Sequence, residues 1–338
     1  MSSSAVSCDL PADGIAPSDA WYSKNRLGGL RRFAGAITIL NILGHLYLGF
    51  EQSWAQPFVA VAAAYSTELL VLLCTSVLGD CRQRSALSAQ SVIDFFLPSH
   101  ISAMACSMLL YTGDALAPTA FAASVAVASK HIIRINGRHV FNPSNFGITV
   151  TLLAFSWVGI AQPYQFTENL NGFGDWILPS IIVVSGTFLN WRFTKRLPLI
   201  VAWLATFALQ ALVRHSIFGS QLAASLLPMT GVAFILYSFY MVTDPPTTPS
   251  SVRGQIAFGA SVGAMYGVLM SLNVVFTLFF ALTAVSAIRL CFLALHRVVT
   301  SRDSVSKQRA KSVGFADRGP WPHHLESQPL RSRAEESH

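Results

Sequence analysis

Two short polar stretches interrupt a chain that is otherwise largely apolar, and each crowds several chemically capable residues together. The first, KHIIRINGRHVFNPSNFG over residues 130–147, brings together Lys130, Arg134, Arg138, His131, His139 and an Asn-Pro turn. The second, YMVTDPPTTPSSVRG over residues 240–254, runs from an apolar segment through Asp-Pro and several hydroxyls to Arg253. Asn142-Pro143 and Asp244-Pro245-Pro246 each break a helix near one face of the membrane. Backbone leaves helical form at membrane depth only where protein or a water-filled cavity satisfies it. A helix restarting after such a break points free N–H groups and its positive end into the gap, where a phosphate or carboxylate can bind. Ser144, Asn145, Thr247 and Thr248 add hydrogen-bonding groups, and Lys130, Arg134, Arg138 and Arg253 add charge. The expectation is that the two turns face each other and hold an anionic or flavin-like ligand. The competing expectation is plainer: Pro, Asn and Asp cap helices while the cations set topology.

Glu68 is the other candidate. It falls near the middle of an apolar run, where an ionised carboxylate costs a few kcal/mol or more. His100 falls at a similar depth if neighbouring spans run antiparallel. A Glu68–His100 pair would serve as a proton or cation relay, and the alternative is a pair of satisfied buried polar residues.

These residues need a scaffold, and the composition specifies its class. Charged residues make up 12% of the 338 residues, apolar residues 52%, and the mean hydropathy is +0.49. Soluble proteins carry about 25% charged residues. Windows long enough to cross the bilayer run over 31–50, 57–78, 91–112, 116–135, 144–161, 174–191, 197–214, 222–242, 254–271 and 273–296. The expected fold is therefore all-α: a polytopic integral membrane protein of about ten transmembrane helices with broken-helix turns. Cations alternate between connectors as cytoplasmic N and C termini require. Arg31 and Arg32, Arg82 and Arg84, the 130–138 group, Arg192 to Arg196, Arg253 and Arg297 fall inside, while Glu51, Asp114, Glu168 and Asp175 fall outside with Arg214 as the lone outer cation. Residues 1–29 read as a flexible cytoplasmic lead without a secretory signal, 30–298 as the membrane domain, and 299–338 as a disordered cytoplasmic tail. Trp54, Trp157, Trp176 and Trp191 lie near span ends, as an aromatic belt would.

Several classes are excluded. The net charge of +7 lies in connectors and ends, with no basic face interleaved with aromatics, so nucleic acid is not an expected partner. Five cysteines lack paired spacing, and no metal site is expected. No nucleophile elbow, P-loop, dinucleotide fingerprint or HExxH motif occurs.

The two turns also carry a family resemblance. Phe141-Asn142-Pro143, Thr243-Asp244-Pro245 with Arg253-Gly254, and SGTFLNWRF at 185–193 resemble the D subunit of the Rnf electron-transport complex and the B subunit of the sodium-pumping NADH:quinone reductase. The resemblance extends over about residues 30–296 and looks closer to the branch accompanying enediyne natural-product pathways. It implies a multi-pass protein of the inner (cytoplasmic) membrane, in contact with the lipid bilayer and with other membrane or redox subunits. It further implies electron transport or ion-coupled transport, as a subunit of a redox-driven translocase and not as a stand-alone enzyme. The family's extracytoplasmic Ser-Gly-Ala-Thr motif, whose Thr carries FMN as a phosphoester, has no counterpart in the short connector 162–173. Its nearest echo, Ser185-Gly186-Thr187, lies inside an apolar run, where a hydroxyl is expected to bond its own helix carbonyl or pack as a small residue. Covalent FMN is therefore not expected, and FMN, riboflavin or quinone would bind non-covalently. Two further readings stay open: a transporter or channel for a small molecule or natural product, and a membrane scaffold for a biosynthetic pathway.

Overall fold

The computed structural model describes residues 17–78, 89–135 and 137–316, with side chains described over 27–75, 92–135 and 137–299. Its helices are α1 (Pro17–Leu43), α2 (Ala55–Leu78), α3 (Ala89–Leu109), α4 (Ala117–Ile132), α5 (Pro143–Ala154), α6 (Gly174–Arg192), α7 (Leu197–Phe218), the short α8 (Leu222–Leu226) and α9 (Val232–Leu236), α10 (Val252–Ser271) and α11 (Thr277–Ala316). Every expected apolar window meets a helix. Among the described residues, four segments can cross a membrane by length and composition: Ala55–Thr75, Val92–Leu109, Leu197–Phe218 and Thr277–Val299. A fifth arises if Leu222–Thr230 and Val232–Met241, bent by 67°, count as one span. The windows at 116–135 and 144–161 fall short. The 12 residues of α5 rise only about 18 Å, against roughly 30 Å of hydrocarbon.

The 144–161 run shortens because its end leaves helical form. Beyond Ala154 the backbone extends into β4 (Gly159–Ile160), antiparallel to β1 (Leu110–Tyr111) at the end of α3. Three buried glutamine side chains close the same end. Gln56 donates to the Ser107 and Leu110 carbonyls at 2.9 and 3.0 Å, while Gln52 and Gln165 both donate to Met108 O. Orphan carbonyls at a helix terminus need such donors, and here they come from two stretches far apart in sequence, 52–56 and 165.

The chain divides into one compact unit ending at Leu290 and a second beginning at Cys291. Helix extends beyond the domain limits expected from composition. Residues 17–29 of the expected flexible lead are helical, opened by Pro17, and helix also runs on from 299 to Ala316. Extending an existing helix costs far less than nucleating one, so the Lys-, Arg- and Ala-bearing stretch after Thr300 follows the apolar one. The remaining parts of the lead and the tail, with Cys8 and Cys81, lie outside the described residues.

Side-chain exposure is inverted relative to a soluble fold. Leu70, Phe58, Val184 and Phe292 are each at least 60% exposed, as a lipid-facing surface requires. Trp54, Trp157, Trp176 and Trp191 are all exposed by more than half, at or beside helix ends. By contrast Trp203 is fully buried among Phe207, Phe234, Tyr237 and Tyr266, and its indole N–H donates to Ser238 at 2.9 Å.

The close pairing of α7 with α10 rests on Gly259, Gly263 and Gly267, one turn apart on α10. A Cβ on Gly259 would strike the Leu199 carbonyl, and one on Gly263 would lie 2.7 Å from the Thr206 Cβ. Without a hydrophobic drive between helices in lipid, such backbone approach supplies the packing. Gly263→Val is therefore expected to destabilise the fold by about 1–3 kcal/mol, read as a lower thermal midpoint in detergent, while Ala264→Val, on the exposed face, leaves it unchanged.

Candidate functional site

The 130–147 stretch folds into three consecutive parts. Lys130 and His131 close α4, and a two-residue hairpin pairs β2 (Arg134–Ile135) with β3 (Arg138–His139). Asn142 then caps α5: its side-chain oxygen accepts from Asn145 N at 3.0 Å, with Pro143 in the first helical position. The second stretch differs from expectation. Asp244-Pro245 ends the π-helical turn Tyr237–Met241 but opens no helix; α10 begins at Val252, capped by Ser251. The two breaks are thus not equivalent positions of a repeat, since one caps a helix directly and the other lies seven residues before the next cap.

The two turns nonetheless meet. Asn142 Nδ2 donates to Met241 O at 3.2 Å, and His139 Nε2 lies 3.5 Å from Asp244 Oδ2. Their donors, however, are spent internally. Ser144 Oγ donates to Asn142 Oδ1, and Asn145 Nδ2 donates to Phe279 O and Thr283 Oγ1 on α11. The Thr247 and Thr248 hydroxyls both donate to Asp244 O, at 3.0 and 2.9 Å. Arg253 is exposed in the first turn of α10. Hydroxyls and amides expected to receive an anion therefore hold the turns' own shape. Among the described residues, Asn145 Oδ1 in the first turn, and Asp244 Oδ2 and Gln255 Oε1 in and beside the second, are buried acceptors without a hydrogen bond, and Asp244 Oδ2 faces His139 Nε2 at 3.5 Å. Such acceptors complement a ligand that donates a hydrogen bond or carries positive charge, not a phosphate. Two arginines that sequence reasoning did not single out secure the second turn. Arg196 donates to Pro249 O and Pro245 O, and Arg289 donates to Thr247 O.

Glu68 is buried and fully engaged, but not by His100. Its Oε1 accepts from His131 Nε2 at 2.9 Å, and its Oε2 accepts from the Ser99 hydroxyl and faces Lys130 Nζ at 3.6 Å. Lys130 also donates to Ser99 Oγ at 2.9 Å. His100, one residue on, points to another face of α3. Its Nε2 meets Thr38 Oγ1 at 2.8 Å, and its Nδ1 meets Tyr65 OH at 3.0 Å. Because Thr38 donates to Ala34 O, it accepts from His100 Nε2–H, leaving Nδ1 to accept the tyrosine proton. Each residue turns a helix by about 100°, so Ser99 and His100 serve different neighbours despite their shared depth.

The charged groups of the two halves approach one another at Lys130. Its ammonium lies within electrostatic range of both Glu68 and Asp244, and Asp244 in turn faces His139. In the sequence, Lys130 reads as a charge for an anion site or as a topology cation, and His131 has no expected partner. The signal available was Glu68 itself, since an intramembrane carboxylate demands a cationic or hydrogen-bonding partner. Arg134 and Arg138 are exposed on the hairpin, and among the described residues the ion pairs of Glu68 and Asp244 are with Lys130, His131 and His139 instead.

Comparison with known proteins follows the second stretch. Residues 160–283 match the NQR2, RnfD, RnfE family. Over this region the chain is similar to the RnfD and NqrB subunits. This matched region includes Asp244 to Gly254 and the SGTFLNWRF segment but not the Asn142 turn. The chain is 31% identical over 107 residues to the D subunit of the ion-translocating oxidoreductase complex of Pectobacterium atrosepticum, covering 31% of this chain and 30% of that protein. It is 34% identical over 89 residues to the corresponding D subunit of Salmonella arizonae, covering 26% and 25%. The chain thus spans under a third of the length of these curated relatives. The match to a family of membrane proteins and the several apolar spans together make the chain a multi-pass membrane protein. Within the matched region, Ser185 Oγ donates to Ile181 O at 2.6 Å and meets Tyr240 OH at 3.1 Å, so its hydroxyl is bound to its own helix, as the sequence suggested.

Proposed function

We propose that the chain is a membrane electron-transport component, a subunit of an ion-translocating oxidoreductase, that binds flavin or quinone non-covalently and couples its redox state to proton or cation movement. The likeness to D subunits supports the redox role. The observation that carries the binding site is a buried acceptor without a hydrogen bond in each of the two turns that meet, Asn145 Oδ1 in the first and Asp244 Oδ2, facing His139 at 3.5 Å, in the second. An isoalloxazine imide N–H or a quinol hydroxyl supplies the missing donor. Glu68, held by His131, Ser99 and Lys130, is the ionisable relay; protonating it would release its hold on Lys130 next to Asp244. His100 belongs to a separate Tyr65–His100–Thr38 chain. In this reading the ten helical windows traverse or enter the inner membrane from cytoplasmic termini, and partner subunits supply the electrons.

The visible absorption spectrum of the purified, detergent-solubilised chain tests this directly, recorded before and after denaturation. Flavin bands that leave with the filtrate on denaturation are expected. Flavin that remains with the denatured chain would overturn the non-covalent assignment. The second reading, ion-coupled transport of a small molecule or natural product, is favoured by the buried Glu68–Lys130–His131 cluster, which a transporter would use equally well. A colourless preparation that still carries out uptake would select it.

A further inference from the structure

Away from the paired turns, the corner between α6 and α7 carries a concentrated positive patch. Arg192 in the last turn of α6, Lys195 in the corner and Arg253 in the first turn of α10 are all exposed. They belong to one surface because buried Arg196, 6% exposed, reaches from the corner to the Pro245 and Pro249 carbonyls, and Pro249 packs against Gly254. Neither 191–200 nor 245–260 contains an Asp or Glu, and the neighbouring Asp244 faces His139 and Lys130 instead. Lys195 adopts φ 55°, at the α6 end where glycine is the usual residue. A lysine tolerates that conformation at a cost, and places its charge at the rim.

Apolar side chains flank the cations on the lipid-facing side. Trp191 is 58% exposed, Phe193 45% and Ile256 47%. Three exposed cations above an aromatic and aliphatic rim match an amphiphile with an anionic head and acyl tails. Free phosphate would have no use for the apolar rim. We infer that Arg192, Lys195 and Arg253 form a binding site for an anionic phospholipid. Basic recesses between membrane helices recognise such headgroups, each cation near the surface adding about fivefold in affinity. Three cations together give on the order of a hundredfold preference over a zwitterionic lipid.

Native mass spectrometry of the full chain, released from detergent containing equal phosphatidylglycerol and phosphatidylcholine, reads this out. The wild type is expected to retain phosphatidylglycerol preferentially, and the Arg192→Gln/Lys195→Gln/Arg253→Gln variant to lose that preference. Arg134→Gln/Arg138→Gln, which removes exposed cations from the hairpin, is expected to keep it. Equal loss in the hairpin variant would overturn a specific site, leaving only general surface charge. So would a wild type without headgroup preference, or one in which inorganic phosphate binds and lipid does not. If the triple variant fails to fold, the wild type decides: its preference must fall as salt rises, and a salt-independent preference contradicts the inference.

Discussion

Glu68→Ala is expected to destabilise the protein by about 3–5 kcal/mol, the usual consequence of removing one partner from a buried ion pair. The Lys130 side chain is 11% exposed and draws its neutralisation from a carboxylate that is itself 8% exposed. Removing the carboxylate leaves the ammonium hydrogen-bonded to the Ser99 hydroxyl with Asp244 as its more distant counter-charge, and His131 loses the acceptor of its Nε2–H. Scanning calorimetry in detergent should show the midpoint falling by on the order of 10 °C. Adding Lys130→Met to the same chain should restore most of that loss, since the stranded charge is then gone. Glu68→Ala and Lys130→Met each destabilising, with the double variant no better than their sum, would mean that the two groups are not coupled. Glu68→Gln keeps the shape and an acceptor for Ser99 but not the counter-charge of Lys130, so it is expected to be less destabilising than Glu68→Ala, to lose ion movement and to retain bound flavin.

Asn142→Ala is expected to have the second-largest effect, about 2–3 kcal/mol. Capping loss alone costs about 1 kcal/mol, and the Met241 carbonyl and Ser144 hydroxyl lose their buried partners as well. The Asn142 amide is the hydrogen-bonded link between the two turns beside the His139–Asp244 pair, so this substitution should also loosen their contact. Asn142→Asp keeps the cap acceptor and lacks the donor to Met241 O. It is expected to preserve α5, judged by far-UV dichroism, while lowering ligand retention. Equal ligand retention in Asn142→Ala and wild type would show that turn contact is irrelevant to binding.

Class and helix placement were legible in the sequence because apolar runs and connector charges are strong signals in a membrane protein. The meeting of the two turns was legible too, from the Asn-Pro and Asp-Pro breaks in otherwise apolar runs. Rotation about a helix axis was not. Glu68 and His100 share a depth, yet Ser99 faces Glu68 while His100 faces Tyr65. Which hydrogen-bonding groups remain available was equally hidden. Thr247, Thr248 and Ser144 look like ligand donors by type, and only the folded turn shows them bonded to Asp244 O and Asn142 Oδ1. The length of α5 escaped because 155–161 is as apolar as a span, although it extends to pair with β1. Arg196 was masked by its neighbours in sequence, where charge at a helix end reads as topology, whereas Arg289, inside the apolar run of α11, gave no sign of which carbonyl it would reach.

The paired turns as a dissociable redox-ligand site are tested most directly by counting flavin released per chain from wild type, Asp244→Asn and Asn145→Leu. Roughly equimolar release from wild type is expected. A fall of about tenfold or more is expected in each variant, because each removes or neutralises an acceptor whose hydrogen bond contributes more than about 1 kcal/mol. Undiminished release from both variants, or flavin that stays attached to the unfolded wild-type chain, would contradict the assignment.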